Sequence, residues 1–219
     1  MSGFLYLHGF ASGPSSRKAR FFADRFAQLG IGLEIPDLPQ GDFEHLTITG
    51  QLGVIEQVAA GRPVSLIGSS MGGYLAALYA ARHPEVEKIV LLAPAFSLTA
   101  RWPEMIGESA MTEWRRTGTL NVFHYSEGRE MPLGYQLIED ASRYEAYPVI
   151  LQPAIIFHGK NDAVVPASYS VEFERRYPHI KLHLLESDHE LLNVLDEIWI
   201  ASEKFLFADV QEAGSSTRS

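Results

Sequence analysis

The sequence contains no cysteine. That excludes a disulfide framework, a thiolate nucleophile and a zinc–thiolate centre, and it is compatible with a reducing compartment. Basic residues are in the minority, 18 Lys and Arg against 27 Asp and Glu, for a net charge of −9. Nucleic-acid binders present a basic face, and no block of this chain supplies one, so no nucleic-acid partner is expected. No apolar run approaches the roughly 20 residues of a membrane-spanning helix. Met1-Ser2-Gly3 leads straight into Phe4-Leu5-Tyr6-Leu7, with no basic n-region and too short an apolar stretch for a signal peptide. The expectation is a cytoplasmic protein without stable membrane insertion. Internal repeats and low-complexity segments are also absent.

What is present is the composition of a packed globule: 219 residues, 46% hydrophobic and 21% charged. That supports a buried core and argues against disorder. Short apolar runs alternate with longer amphipathic ones. Phe4–Leu7, Leu33–Ile35, Val64–Ile67, Ile89–Leu92, Ala154–Phe157 and Lys181–Leu185 read as strands. Most are apolar on both faces, as in a parallel sheet covered on each side. Ser15–Leu29, Phe43–Ala60, Met71–Arg82, Ala167–Tyr177 and Leu191–Phe207 read as helices, with Gly30, Gly61 and His83-Pro84 as stop signals. Alternating β and α elements predict an α/β fold with a mostly parallel sheet of about six strands. A single domain over residues 1–209 is expected, with 210–219 (ending QEAGSSTRS) as a flexible tail.

Residues 97–148 break the rhythm, since about fifty residues separate two strands that need only one helix between them. The stretch carries Trp102, Met105, Met111, Trp114, Phe123, Tyr125, Met131 and Tyr135. Leu120–Tyr125 and Glu130–Tyr135 flank Ser126-Glu127-Gly128-Arg129, the pattern of a hairpin with a glycine turn. A lid or cap insertion is expected here; extra core packing is the plainer alternative.

The strongest chemical signal is Gly68-Ser69-Ser70-Met71-Gly72, which matches G-x-S-x-G between an expected strand and an expected helix. A serine on so sharp a turn leaves no room for side chains two residues away on either side, and Gly73 lets the helix approach the strand. The helix N-terminus then brings its dipole and free N–H groups to the Ser70 oxygen. Ser70 is the expected nucleophile.

A serine hydroxyl requires a base, and the base requires an orienting acid. The chain order for this elbow is Ser, then Asp or Glu, then His. Asp162 lies just past the carboxyl end of the strand in AIIFHGKND, where parallel sheets gather their sites. Among eight histidines, His8 and His45 precede Ser70. His83 ends a helix, His124 falls in the insertion, His158 falls within the acid's own strand turn, and His179 and His183 belong to the last strand. His189, in ESDHE, follows that strand and is the expected base; the adjacent Asp188 is a weaker choice of acid.

An oxyanion hole requires two N–H donors. The backbone of Met71, just after the nucleophile, is one; the other is expected from the loop HGFASG after the first strand, at Phe10, with Ala11 as the alternative. His8 is expected to order this loop. Phe10, Trp102, Met105 and Trp114 are the expected substrate-contacting residues, and Arg17 and Lys18 either attract a substrate anion or form a solvated helix start.

LYLHGF, GSSMGG, HGKNDAVVP and SDHE, in that order, resemble the α/β-hydrolase superfamily, over nearly the whole chain except the insertion and tail. The opening LHGFASGPSSRKA is most similar to that of the small bacterial YqiA/YcfP-like esterases. The stretch GTLNVFHYSEGREMPLGYQLIEDA, followed by HGKND and SDHE, also resembles the acyl-glucuronide esterase and palmitoyl-protein thioesterase group. Carried over by position, the family triad falls on Ser70, Asp162 and His189. The resemblance implies a compact α/β-hydrolase fold that starts at the strand carrying the His-Gly loop, with the nucleophile on the third of six strands in spatial order 2-1-3-4-5-6.

The expected reaction is acyl transfer to water through an acyl-enzyme on Ser70, as in a serine carboxylesterase or thioesterase, with no metal or organic cofactor. The aromatic insertion favours a small-molecule substrate with an apolar acyl group. The alternatives are hydrolysis of a C–C or peptide bond, a non-catalytic ligand-binding protein on the same scaffold, or an interaction module that uses exposed Trp102 and Trp114.

Overall fold

The computed structural model describes residues 2–215, and side-chain surroundings for residues 2–208. The elements, in chain order, are β1 (Gly3–Leu7), α1 (Arg17–Gln28), α2 (Ile48–Ala59), β2 (Val64–Ser69), α3 (Met71–Ala80), β3 (Val86–Leu92), α4 (Leu98–Ile106), α5 (Glu108–Thr117), β4 (Thr119–His124), β5 (Arg129–Gly134), α6 (Gln136–Ala141), β6 (Ala154–Gly159), α7 (Ser168–Arg176), β7 (Lys181–Leu185) and α8 (Leu195–Ser215). A short 3-10 turn, Leu192–Val194, leads into α8.

Five strands form one sheet in the order β1-β2-β3-β6-β7, with every neighbouring pair parallel. Successive side chains of a strand point to opposite faces, and here both faces are covered. Leu5, Leu7, Leu66, Ile89, Leu91 and Ile156 enter one cluster with α2, α3, α7 and the insertion. Tyr6, Ile67, Val90, Leu92, Ile155 and Phe157 enter the other, against Phe22 and Phe26 of α1 and Trp199 of α8. Burial on both sides explains why these strands read as near-continuous apolar runs and not as alternating ones.

The expected sixth strand, Leu33–Ile35, is reduced to a single parallel bridge between Leu5 and Glu34. Tyr6 N–H donates to the Glu34 carbonyl at 2.8 Å and Glu34 N–H to the Phe4 carbonyl at 2.9 Å. Pro36 follows immediately and has no N–H to extend a ladder. The expected helix from Phe43 likewise begins later. Thr47 Oγ1 accepts from Gly50 N–H at 2.9 Å and caps α2, and Phe43 and Leu46 reach the core from irregular backbone. α8 extends to Ser215, into the stretch read as a tail, and residues 216–219 lie outside the described residues. Among the described residues no helix is long and apolar enough to cross a membrane.

The insertion consists of α4, α5, the antiparallel hairpin β4-β5 and α6. The hairpin lies one residue before its expected position, and Gly128 in its turn adopts φ +64°. Trp102 and Trp114 are only 5% and 1% exposed, with ring centroids 5.0 Å apart. An interaction surface built on their exposure is therefore ruled out: both rings fill the seam between the insertion and the body. The insertion is also tied down by hydrogen bonds. Tyr125 N–H donates to the Ala11 carbonyl at 2.9 Å, and Tyr74 hydroxyl to the Glu145 carbonyl at 2.9 Å. Asp140 accepts from Thr49 N–H and Thr49 Oγ1, each at 2.7 Å.

Candidate active site

The sharp turn between β2 and α3 places Ser70 at φ +53°, ψ −118°, a backbone region that costs a non-glycine residue about 1–3 kcal/mol. Three glycines make the turn sterically feasible. A Cβ on Gly68 would lie 2.4 Å from the Gly72 carbonyl oxygen, and one on Gly72 would lie 2.1 Å from that of Leu7. A Cβ on Gly73 would sit 3.0 Å from Pro94 Cβ. Gly68 and Gly72 are thus needed for backbone contacts across the elbow and with the end of β1, while Gly73 keeps α3 close to the loop after β3. The turn is held from outside as well, since the Ser70 carbonyl accepts from the N–H groups of Gly73, Tyr74 and Ala95.

The expected acid and base arrive from the two strands beyond β3. Asp162 follows β6 and His189 follows β7. A Cβ on Gly159 would come within 2.3 Å of the Asp188 carbonyl oxygen, so this glycine allows the two loops to touch. His189 Nδ1 lies 2.7 Å from Asp162 Oδ2, and His189 Nε2 lies 3.1 Å from Ser70 Oγ. Nδ1–H donating to the carboxylate leaves Nε2 facing the serine hydroxyl, the tautomer a general base needs. Asp188 is exposed and accepts from Glu190 N–H at 3.0 Å; it is a local cap and makes no contact with His189's ring.

Asp162 is fixed on all sides. Its Oδ1 accepts from the N–H groups of Val164 at 2.9 Å and Val165 at 2.7 Å. Its Oδ2 also lies 3.1 Å from Nε2 of His158. Burial by itself would raise the carboxyl; the hydrogen bonds from His158 and His189, the His189 charge and the Val165 N–H together outweigh it and hold Asp162 well below the usual carboxylate range. Sequence reasoning assigns His158 no role. Its only signal is a polar residue at the end of an otherwise apolar strand.

On the other side of Ser70, the loop after β1 approaches closely, since a Cβ on Gly9 would lie 3.3 Å from Ser70 Cβ. The N–H groups of Phe10 and Met71 have no acceptor among the described residues. His8 is almost fully buried: its Nδ1 lies 3.0 Å from the Gly9 carbonyl, and its Nε2 accepts from Leu38 N–H at 3.3 Å. Burial pushes the His8 imidazole below its ordinary value, which suits a residue that orders the loop as a neutral ring.

The four expected substrate-contacting residues are only partly brought together. Phe10 meets Trp102 edge-on, with centroids 5.6 Å apart. Trp114 lies one ring behind, with Nε1–H donating to the Leu133 carbonyl at 2.9 Å. Met105 is 53% exposed on the outer side of α4, outside both apolar clusters. Of the two basic residues after the loop, Arg17 is exposed, while Lys18 is buried with Nζ 3.5 Å from the His189 carbonyl. Burial pushes the Lys18 ammonium down, against the pull of Glu190, Asp162 and Asp188. Lys18 is tied to the loop that carries His189.

Residues 3–205 match an uncharacterised protein family, UPF0227. No curated protein matches the sequence. Among solved structures, α/β-hydrolase domain-containing protein 10 from mouse superposes with a TM-score of 0.79 at 20% identity, over 95% of this chain and 90% of that one. Est1E from Butyrivibrio proteoclasticus with ferulic acid bound gives 0.76 at 20% identity, over 96% and 90%. The monoacylglycerol lipase of Paleococcus ferrophilus gives 0.73 at 16% identity, over 94% and 93%. At these identities the likeness establishes the α/β-hydrolase fold, with a five-stranded parallel sheet in this chain.

Proposed function

We propose that this chain, which belongs to the UPF0227 family, is a serine hydrolase that cleaves a carboxylic ester or thioester through an acyl-enzyme on Ser70. The observation that carries the reading is the hydrogen-bonded line from Asp162 Oδ2 through His189 to Ser70 Oγ, at 2.7 and 3.1 Å, with the serine on a strained turn beside two unengaged N–H groups.

In the first half-reaction His189 Nε2 takes the Ser70 proton as Oγ attacks the carbonyl carbon. Asp162 keeps the imidazole oriented and stabilises the imidazolium that forms. The N–H groups of Phe10 and Met71 receive the negative charge that develops on the carbonyl oxygen. His189 then gives its proton to the departing alkoxide or thiolate, leaving the acyl group on Ser70. In the second half-reaction water is deprotonated by His189, attacks the same carbon and releases the acid. The aromatic faces of Phe10 and Trp102 favour an apolar acyl group. Three relatives in fold are an α/β-hydrolase domain protein, a ferulic-acid-binding Est1E and a lipase, which agrees with ester chemistry.

The test is labelling with a fluorophosphonate, read by intact mass, on the native protein and on Ser70→Ala. A single adduct on Ser70, absent from the variant, is the expected result. A folded native protein that takes no adduct and turns over no 4-nitrophenyl ester would replace this reading with that of a ligand-binding protein on a hydrolase scaffold.

A further inference from the structure

Arg101 stands on α4 of the insertion and is only 4% exposed. Its Nη1 is shut off from solvent without a hydrogen-bond partner, and no carboxylate forms an ion pair with the guanidinium among the described residues. Among the described residues, its ring contact is with Tyr169 on α7, with Cζ 5.6 Å from the ring centroid. Burial pushes its guanidinium down, against the pull of Tyr169, of Asp162, already engaged with His189 and His158, and of Glu104, three residues on along its own helix. A buried cation is costly unless it is paired. Arginine in particular presents a planar fork of donors suited to carboxylate and phosphate.

Its neighbour in sequence shows which side of the site it serves. Consecutive helical side chains diverge by about 100°. Trp102 reaches Phe10 on the oxyanion side of Ser70, whereas Arg101 reaches Tyr169 and the field of Asp162 on the acid side. In the proposed reaction the leaving group must lie on the His189 side, because His189 protonates it. We propose that Arg101 binds an anionic group, carboxylate or phosphate, on the leaving alcohol or thiol of the substrate, while the acyl group lies against Phe10 and Trp102. The inference rests on the ester or thioester hydrolase reading and specifies the substrate class for the same site: an apolar acyl group joined to an acidic leaving group. The unpaired guanidinium then gains its counter-ion only when substrate is bound, so that part of the binding energy is reserved for the correct leaving group.

The experiment compares 4-(butanoyloxy)benzoate and 4-(butanoyloxy)phenylphosphonate with the neutral methyl 4-(butanoyloxy)benzoate, in the native protein, Arg101→Gln and Arg101→Lys. The expected result is that the charged-to-neutral ratio of kcat/KM falls about tenfold or more in Arg101→Gln and is partly restored in Arg101→Lys. Whichever charged ester shows the larger fall identifies the group recognised. A second measurement needs no turnover. Thermal shift of Ser70→Ala with 4-hydroxybenzoate or inorganic phosphate, at constant ionic strength, should show saturable stabilisation that Arg101→Gln removes. Arg101→Gln should also melt no lower than the native protein, because it removes a buried unpaired charge; a purely structural arginine would give a lower melting temperature. An unchanged ratio together with no Arg101-dependent stabilisation overturns the inference. So does a preference for 4-nitrophenyl hydrogen succinate, whose charge lies on the acyl side. Neither result touches the hydrolase reading, which falls only if Ser70 takes no label and the neutral ester is not cleaved.

Discussion

His158 Nε2 lies 3.1 Å from the same carboxylate oxygen of Asp162 that His189 Nδ1 meets at 2.7 Å. Two imidazoles, one on β6 and one in the loop after β7, thus share one acceptor. His158 is fully buried, its Nε2 also lies 2.7 Å from the Val165 carbonyl, and its Nδ1 lies 2.7 Å from Ser170 Oγ. With Nε2–H as donor, Nδ1 accepts from the Ser170 hydroxyl. His158 therefore fastens the acid's loop to α7. His158→Phe leaves Ser170 Oγ, the Val165 carbonyl and one Asp162 contact unsatisfied, and a loss of about 3 kcal/mol is expected from urea unfolding. Ester turnover should fall with it, while KM moves less than kcat.

The tight glycines and the open ones make opposite predictions. Gly72→Ala places a methyl group 2.1 Å from one backbone carbonyl oxygen and 2.5 Å from another. Neither atom has freedom to retreat, so folded protein should be lost from the soluble fraction. Gly53 lies inside α2, and a methyl group added there meets nothing within 4 Å. Gly53→Ala should raise stability by about 0.5–1 kcal/mol, seen as a higher melting temperature.

Acid should destabilise the protein partly through Asp162. Its folded-state pKa lies below the unfolded value of about 3.9. The stabilisation linked to its ionised form is therefore fully present above that unfolded value and is lost as pH falls through it towards the folded value. Urea unfolding at pH 7 and pH 3 should show a smaller difference in Asp162→Asn than in the native protein. At neutral pH the same variant should lose about 10³–10⁴-fold in kcat, because an amide favours the wrong imidazole tautomer.

Asp140 connects α6 of the insertion to the first turn of α2 through two 2.7 Å hydrogen bonds from Thr49. It is 7% exposed, and its charge sits at a helix N-terminus, where it is favoured. Asp140→Ala should cost about 1.5–3 kcal/mol and loosen the insertion from the body. Hydrogen exchange checks this, with faster exchange expected in α6 and the first turn of α2.

The parts of the site that could be read in the sequence are those whose cause is local. Gly68, Gly72 and Gly73 mark a turn that only glycine permits, and that turn identifies Ser70. Asp162 and His189 could be placed beside Ser70 because strand ends and chain order leave few alternatives. Leu33-Glu34-Ile35 was misleading for a local reason too: its apolar pattern is that of a strand, and Pro36 alone hints that the ladder cannot continue. His158, Lys18 and Arg101 were not legible, because their meaning lies in partners from distant segments: Ser170, the His189 carbonyl and Tyr169. The same holds for the insertion. Its aromatic content was visible, but which rings face the body and which, like Tyr125 at 76% exposure, face solvent depends on packing.

The glycine contacts also divide the site into two pieces. Gly72 and Gly9 press the nucleophile's turn against the end of β1 and the loop after it, while Gly159 presses the acid's loop against the one that carries the base. Each piece is locked internally by backbone in contact with backbone. Between them, the direct hydrogen bond joining nucleophile to base is the 3.1 Å contact from Ser70 Oγ to His189 Nε2. The two pieces meet at that side-chain contact and at Lys18 Nζ, 3.5 Å from the His189 carbonyl, so the serine–histidine separation depends on how the pieces are set against each other and not on either piece alone.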